Sequence, residues 1–193
     1  MKDRQERLGE HAAVKGTMLH AHLAWAAARP GGPAATADSG LDAECRRLAC
    51  GDFLDTDWVP FRCLVRIDRA LAAAAGIPPE RAFREMGGHS ATLNLAGAYK
   101  SFVAEEPHRF FERSARLHDR FQNFGRCAYE RRGERHGRMR HEGYEEYSPV
   151  YCASALGYYE GALRLMNAPG PAHVFEIACQ CAGDPACVFD LSW

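Results

Sequence analysis

The sequence predicts an α/β protein of the α+β kind, in which N-terminal helices pack on an antiparallel sheet of about four strands. Apolar residues recur at helical spacing through residues 11–117. Short alternating segments bounded by turn residues follow after Gly125. A helix predicted over residues 148–166 lies between two hairpins, so it should cross between them on one face of the sheet.

Composition places the chain among ordinary globular proteins, with 193 residues, 47% hydrophobic and 25% charged. We expect one domain, with a helical extension over 1–57 and the main part over 58–193. The net charge of -1 predicts no nucleic-acid partner, and no apolar run is long enough to span a membrane. Residues 1–10 do not resemble a signal peptide, so we expect a cytoplasmic protein. Its eight cysteines should then be ligands or buried thiols rather than disulfides.

Five helices are predicted before the sheet, covering residues 11–28, 41–50, 60–76, 79–103 and 107–117. The pair Gly87-Gly88 is a candidate interruption of the fourth helix. The segment 29–40 is predicted to be a loop. Three large apolar residues of this helical part have no assigned partner in the predicted core, namely Trp25, Trp58 and Phe61. They predict a homodimer.

Two hairpins account for the predicted strands. The first joins residues 127–131 to 134–141 and is the most basic stretch, which we interpret as a solvated face. The second joins residues 173–181 to 187–191 through a turn at 182–185. Strict alternation would place four side chains of its first strand on one face, namely Phe175, Ile177, Cys179 and Cys181.

Three cysteines and one glutamate in the last third form a candidate zinc site, consisting of Cys152, Glu176, Cys179 and Cys187. Cys152 lies near the start of the helix at 148–166, where Ser148 suits the N-cap and Pro149 the first helical position. The other three belong to the second hairpin. Thiolates and carboxylates bind zinc, and four protein ligands close a structural site that has no open catalytic position.

The spacing leaves two questions open. Glu176 and Cys179 are an odd number of residues apart, so an ideal strand points them to opposite faces. The strand must bend, bulge or end near Ala178 if both bind one ion. Cys181 is a competing ligand because it shares the face of Cys179. The alternative is that these cysteines are small buried apolar residues, which is common for free thiols.

The C-terminal third resembles the 4-vinyl reductase domain, a small-molecule-binding domain related to sensor modules of bacterial transcription activators and to haem-nitric-oxide-binding and Golgi-transport proteins. The matching pieces are Pro149-Val150, Leu156-Gly157-Tyr158-x2-Gly161, Glu176-x2-Cys179 and Gly183-Asp184 before Cys187. The resemblance implies a structural zinc on Cys152, Glu176, Cys179 and Cys187, and homodimerisation. The segment from Trp58 to Tyr99 also resembles a myxobacterial family of unknown function with this fold.

An aromatic cluster predicts a pocket for an apolar or aromatic ligand, with candidate residues Phe111, His118, Phe121, Phe124, Tyr158 and Tyr159. The resembled sensors anchor their ligand with a histidine and a tryptophan. No tryptophan occurs between Trp58 and Trp193, so that indole donor is missing. The simpler interpretation of each aromatic residue is ordinary core packing.

The main hypothesis is therefore a zinc-stabilised, small-molecule-binding sensor domain that signals through protein contacts. The alternatives are a ligand-free scaffold and, third, a haem- or tetrapyrrole-binding protein with an axial ligand at His89, His108 or His118. No Ser-His-Asp pattern, phosphate-binding glycine loop or zinc-protease motif occurs, so the sequence does not favour an enzyme.

Overall fold

A computed structural model describes residues 4–30, 32, 40–97, 100–102, 106–166, 168 and 170–193. It confirms the predicted α/β class. The helices are α1 (Gly16–Ala27), α2 (Ala43–Ala49), α3 (Phe61–Ala75), α4 (Pro79–Ala96), α5 (Pro107–Arg116) and α6 (Pro149–Leu165). The strands are β1 (Ala13–Lys15), β2 (Trp58–Pro60), β3 (Arg126–Gly133), β4 (His136–Glu142), β5 (His173–Ala178) and β6 (Ala186–Ser192).

The main sheet is antiparallel in the order β3-β4-β6-β5, so the two predicted hairpins join through β4 and β6. A second, two-stranded sheet pairs β1 with β2. It was not predicted, because strands of three residues are too short to show an alternating pattern. The basic hairpin has one face in solvent, where Arg138 pairs with Asp190 of β6 and Arg132 with Glu130. No helix among the described residues is long and apolar enough to cross a membrane.

Helix α4 continues through Gly87 and Gly88, so the predicted interruption is wrong. These glycines serve close packing against α6 instead. A Cβ on Gly87 would overlap the carbonyl oxygen of Ser154, and one on Gly157 would overlap that of Arg84. The two helix backbones can approach this closely only because both lack a side chain at the crossing. The predicted continuation of this helix to Val103 runs into residues outside the described part of the chain, as do residues 31 and 33–39 of the predicted loop.

Strand β5 does not keep one face inward along its whole length. Phe175 and Ile177 are 63% and 53% exposed, whereas Cys179 and Cys181 are buried. The pairing with β6 shifts register between Glu176 and Ala178, and the strand ends at Ala178. The predicted common face for the four alternating residues is therefore wrong, because the chain turns inward after the shift.

Two expectations about the N-terminal half also need correction. Trp25 and Phe61 are buried in the core at 2% and 0% exposure, so of the three leftover residues only Trp58 remains exposed, at 46%. Cys45 of α2 and Cys63 of α3 form a disulfide, although thiols were expected. Both cysteines are fully buried where the two helices face each other, and sequence spacing gave no sign of that contact.

Candidate metal centre and interior cavity

The four candidate zinc ligands lie together where the first turn of α6 meets the β5–β6 hairpin. Their ligand atoms are all within 4.8 Å of one another. Cys152 Sγ is 3.6 Å from Cys187 Sγ and 3.9 Å from Cys179 Sγ. Thiolates on one tetrahedral zinc, each about 2.3 Å from the ion, would be about 3.8 Å apart. These two sulfur–sulfur distances therefore match those expected around a tetrahedral zinc ion.

The end of β5 explains how Glu176 and Cys179 face the same point. The register shift and the end of the strand at Ala178 rotate the chain between them, as the odd spacing required. Cys181 lies in the 3-10 turn that follows. It is buried and interacts with the Cys152 thiol, but it does not belong to the group of four.

Backbone and side-chain hydrogen bonds hold the cluster from outside. Asp184 accepts a bond from the Cys179 backbone N–H at 2.8 Å, and the Gln180 N–H donates to Cys187 Sγ at 3.3 Å. Gly183, at φ +92°, closes this turn in a conformation that favours glycine. These bonds orient two of the sulfur ligands. The Gly183-Asp184 pair therefore influences the cysteine cluster through the turn that it forms.

Glu176 offers one oxygen to the cluster and one to an arginine. Its Oε2 accepts a bond from Arg4 at 2.6 Å, while Oε1 is buried and has no hydrogen-bond partner among the described residues. Burial and the neighbouring Cys179 together raise the pKa of this carboxyl to about 7, and Arg4 opposes the shift. A cation beside Oε1 would satisfy the oxygen and favour its charged form.

The thiols are arranged so that one of them ionises most readily. The interaction between the Cys152 and Cys179 thiols raises the pKa of Cys152 and lowers that of Cys179. Without a cation, neighbouring thiolates repel one another in a buried site. The donor set therefore requires a positive ion if all three sulfurs are to be charged, as they are in zinc sites.

An interior cavity of about 160 Å³ lies between the helices and the main sheet. Its walls come from α1, α4, α5, the turn at 117–122, β3, β4 and α6. Four of the predicted ligand-binding residues line it, namely His118, Phe121, Tyr158 and Tyr159. The other two predicted residues are packed elsewhere. Phe111 lies against Tyr129, and Phe124 lies between Phe61 and Tyr144.

Several cavity residues were not predicted from the sequence, because they are polar or lie far in the chain from the predicted aromatic cluster. They include Met18, His22, Ser90, Asn94, Gln122, His141, Tyr151 and Ser154. The signal that could have found Ser90 and Asn94 is their spacing of four residues on α4, which places both on one helix face. Nothing in the sequence places that face against the sheet.

A hydrogen-bond network fixes one wall of the cavity. His118 donates through Nε2 to the Phe124 carbonyl at 3.0 Å, and its Nδ1 accepts from Gln122 at 2.6 Å. Gln122 in turn accepts a bond from the Tyr151 hydroxyl at 2.5 Å. Burial lowers the pKa of His118, and it lowers that of His141 to about 3, so both imidazoles are neutral near pH 7.

The other two histidines nominated as axial ligands lie away from this cavity. His108 bonds to the Tyr129 hydroxyl at 2.6 Å and to the Glu134 carbonyl at 2.9 Å. His89 lines an open groove beside α4 and α6. Of the three, only His118 lines the cavity, although His108 is also buried.

No protein-family model matches the sequence, and no curated protein matches it significantly. Solved structures share its fold. One concerned with haem distortion in the H-NOX family has a TM-score of 0.69 at 12% identity, covering 93% of this chain and 94% of its own. An oxygen-binding H-NOX domain related to soluble guanylate cyclases has a TM-score of 0.65 at 14% identity, covering 92% of both chains. A structure concerned with H-NOX activation has a TM-score of 0.67 at 12% identity, covering 92% and 95%. At these identities the likeness shows the fold alone, and this chain has the fold of the H-NOX domains.

Proposed function

We propose that this chain is a zinc-stabilised sensor domain that binds a small single-ring ligand, apolar or aromatic, in its interior cavity. The observation that carries the proposal is the cavity between the helices and the sheet, lined by aromatic rings and neutral polar groups. The resemblance to the 4-vinyl reductase domain supports the same ligand class. The likeness to H-NOX domains supports a sensor fold.

The cavity volume sets the size of the ligand. Sites for drug-sized molecules usually have about 300–1,000 Å³, and an engineered apolar cavity of about 150 Å³ binds benzene. The 160 Å³ here accommodates one ring with a small substituent. A ligand of this size would touch α4, α6 and the sheet at once, so its binding would favour one arrangement of these elements over others.

In this proposal the zinc would have a structural role. Four protein ligands leave no position for a substrate, so the ion would hold the start of α6 against the β5–β6 hairpin. Because α6 also forms one wall of the cavity, the metal would keep that wall in place. Its binding free energy would be part of the folding free energy.

Haem is the second candidate, and the comparisons favour it over an apolar ligand because descriptions of the solved neighbours name haem. His118 is the residue that would serve as its axial ligand. The described residues do not fit the group, however. A porphyrin is several times larger than this cavity, and both ring nitrogens of His118 are already hydrogen-bonded.

Titration of the purified, zinc-loaded chain with toluene, followed by isothermal calorimetry and NMR, tests the proposal. We expect saturable binding. Ala155→Leu should weaken it by at least about tenfold because the longer side chain fills the cavity. Ala128→Leu, on the exposed face of β3, is the matched control.

Absence of toluene binding, or equal binding by the filled variant, would contradict the single-ring proposal and favour the scaffold alternative. The absorption spectrum of protein expressed with a haem precursor separates the second candidate. An intense porphyrin band that disappears in His118→Ala would establish haem binding in place of our proposal.

A further inference from the structure

Residues 4–7, which we call the strap, lie across the joint between the start of α6 and the β5–β6 hairpin. On the hairpin side, Arg4 donates to Glu176 Oε2 at 2.6 Å. The Gln5 N–H donates to the Cys181 carbonyl at 2.7 Å, in the turn between the two strands. This is the same joint at which the four candidate metal ligands meet.

The rest of the strap holds the start of α6. The Ser148 hydroxyl, which caps α6, donates to Glu6 at 2.6 Å. Glu6 also accepts two bonds from Arg69 of α3, at 2.7 and 2.6 Å. Arg7 and Tyr147 exchange two backbone bonds at 2.9 and 2.8 Å. The strap therefore contacts both elements that carry the metal ligands and fixes one relative to the other.

Arg4 reaches the metal centre through the glutamate ligand. Its side chain is 46% exposed, whereas that of Glu176 is only 5% exposed, so the guanidinium group extends from the surface to a buried carboxylate. Carboxylates that bind a metal are commonly hydrogen-bonded by a second group, which fixes their orientation. Arg4 occupies Oε2 in this way and leaves Oε1, which has no hydrogen-bond partner among the described residues.

The filled metal centre would carry a net negative charge. Three thiolates and one carboxylate bring four negative charges, of which a zinc ion offsets two. A buried net charge is strongly unfavourable unless an opposite charge lies beside it. Arg4 pairs with the carboxylate directly, and it also interacts electrostatically with Cys179 and Cys152. Its guanidinium group therefore supplies part of the missing positive charge.

We propose that the strap is the outer shell of the metal centre, in which Arg4 positions Glu176 and balances part of the charge of the filled site. This inference rests on the zinc site of the proposed function. Arg4 is a positioning residue, because it acts on the ion through a ligand. Since the strap and the ion hold the same joint, each favours the binding of the other, and by linkage the two effects are equal.

Zinc dissociation constants of the full chain, measured by competition with a chromogenic chelator, test the inference. Arg4→Gln should weaken zinc binding by about tenfold, at the lower end of the usual effect of losing an outer-shell partner, because Arg4 is half-exposed. Arg4→Lys keeps the positive charge and should recover most of the affinity. Arg7→Gln is the matched control, an exposed strap residue held by its backbone, and it should bind zinc like the wild type.

Two further readouts separate positioning from a general loss of stability. With cobalt(II) in place of zinc, the visible absorption bands depend on the ligands and their geometry. These bands should shift in Arg4→Gln, because Glu176 loses the bond that orients it, and should stay unchanged in Arg7→Gln. In the zinc-loaded proteins, the Gln5 and Arg7 amides should exchange hydrogen faster in Arg4→Gln than in the wild type, since the strap opens more often.

The strap and the zinc site fail in different ways. If the wild type binds no zinc, both proposals are wrong. If the wild type binds zinc and Arg4→Gln binds it equally tightly, or Arg7→Gln weakens binding as much, only the strap is wrong. Unchanged cobalt bands in Arg4→Gln would overturn the positioning of Glu176. Affinity as low in Arg4→Lys as in Arg4→Gln would overturn the balancing of charge.

Discussion

The cysteine cluster and the interior cavity share helix α6, but they are assembled in different ways. The cluster uses one stretch of chain, from Cys152 to Cys187, in which a helix start and a hairpin are local neighbours. The cavity combines residues from Met18 to Tyr159, brought together by the packing of α1, α4 and α5 around α6. A local site can be recognised from residue spacing, whereas a site built from distant elements depends on how they pack.

The largest effect should come from breaking the cluster. Cys187→Ser removes one of four ligands from a buried site, so the chain should lose its metal. Its free energy of unfolding should fall by more than about 4 kcal/mol, because structural zinc sites contribute about 10–16 kcal/mol to folding. Metal analysis and urea unfolding measure the two effects.

The control is Cys50→Ser, which changes an exposed free cysteine outside the cluster. It should retain about one zinc per chain and wild-type stability. If Cys187→Ser also keeps its metal and its stability, the cluster is a set of buried thiols and the zinc proposal is wrong.

A smaller effect should come from separating α4 and α6, which would alter the cavity and leave the cluster intact. In Gly157→Ala the new methyl would overlap the Arg84 carbonyl, so the helices must move apart. We expect a loss of about 3 kcal/mol, toward the upper part of the usual range for overpacking. Toluene binding should weaken, while zinc content should not change.

Gly88→Ala is the matched control for this variant. Its Cβ would lie 3.5 Å from the Gly157 carbonyl oxygen, an ordinary contact. Stability should therefore stay the same or rise by about 0.5–1 kcal/mol, because alanine is the better helix former. Equal destabilisation by both variants would show that the crossing does not depend on the close approach at Gly157.

The smallest effect concerns the pH dependence of the cavity wall. Burial lowers the pKa of His118 in the folded protein, so below about pH 6.5 the unfolded chain binds a proton that the folded chain does not. Its contribution to stability is therefore complete above pH 6.5 and declines as the pH falls toward the folded pKa. The decline cannot exceed about 1.4 kcal/mol per pH unit, the limit for one proton.

Urea unfolding of the wild type and of His118→Gln at pH 7.5 and 5.5 measures this contribution. The wild type should lose more stability between the two values than the variant does. His173→Gln, which alters an exposed imidazole on β5, should behave like the wild type. An unchanged pH dependence in His118→Gln would show that this imidazole is not held neutral by burial.

Residue patterns were enough to predict the α/β class, the two hairpins and the helix between them. Helical spacing and turn residues are local properties, so they can be recognised in the sequence without tertiary information. They also identified Cys152, Glu176, Cys179 and Cys187 as one candidate set, and the odd spacing of Glu176 and Cys179 correctly required a change in strand geometry near Ala178. The assignment of zinc to that set remains a prediction.

Only the tertiary structure decided which residues surround the cavity. Gly87 looked like a helix break but serves a helix crossing, because the sequence cannot show what approaches a glycine. The disulfide between Cys45 and Cys63 could not be predicted either, because the sequence does not show that their two helices lie face to face. The cavity is the clearest case, because Met18, Ser90 and Tyr159 line one space although they are far apart in the chain, and only the packing of the helices brings them together.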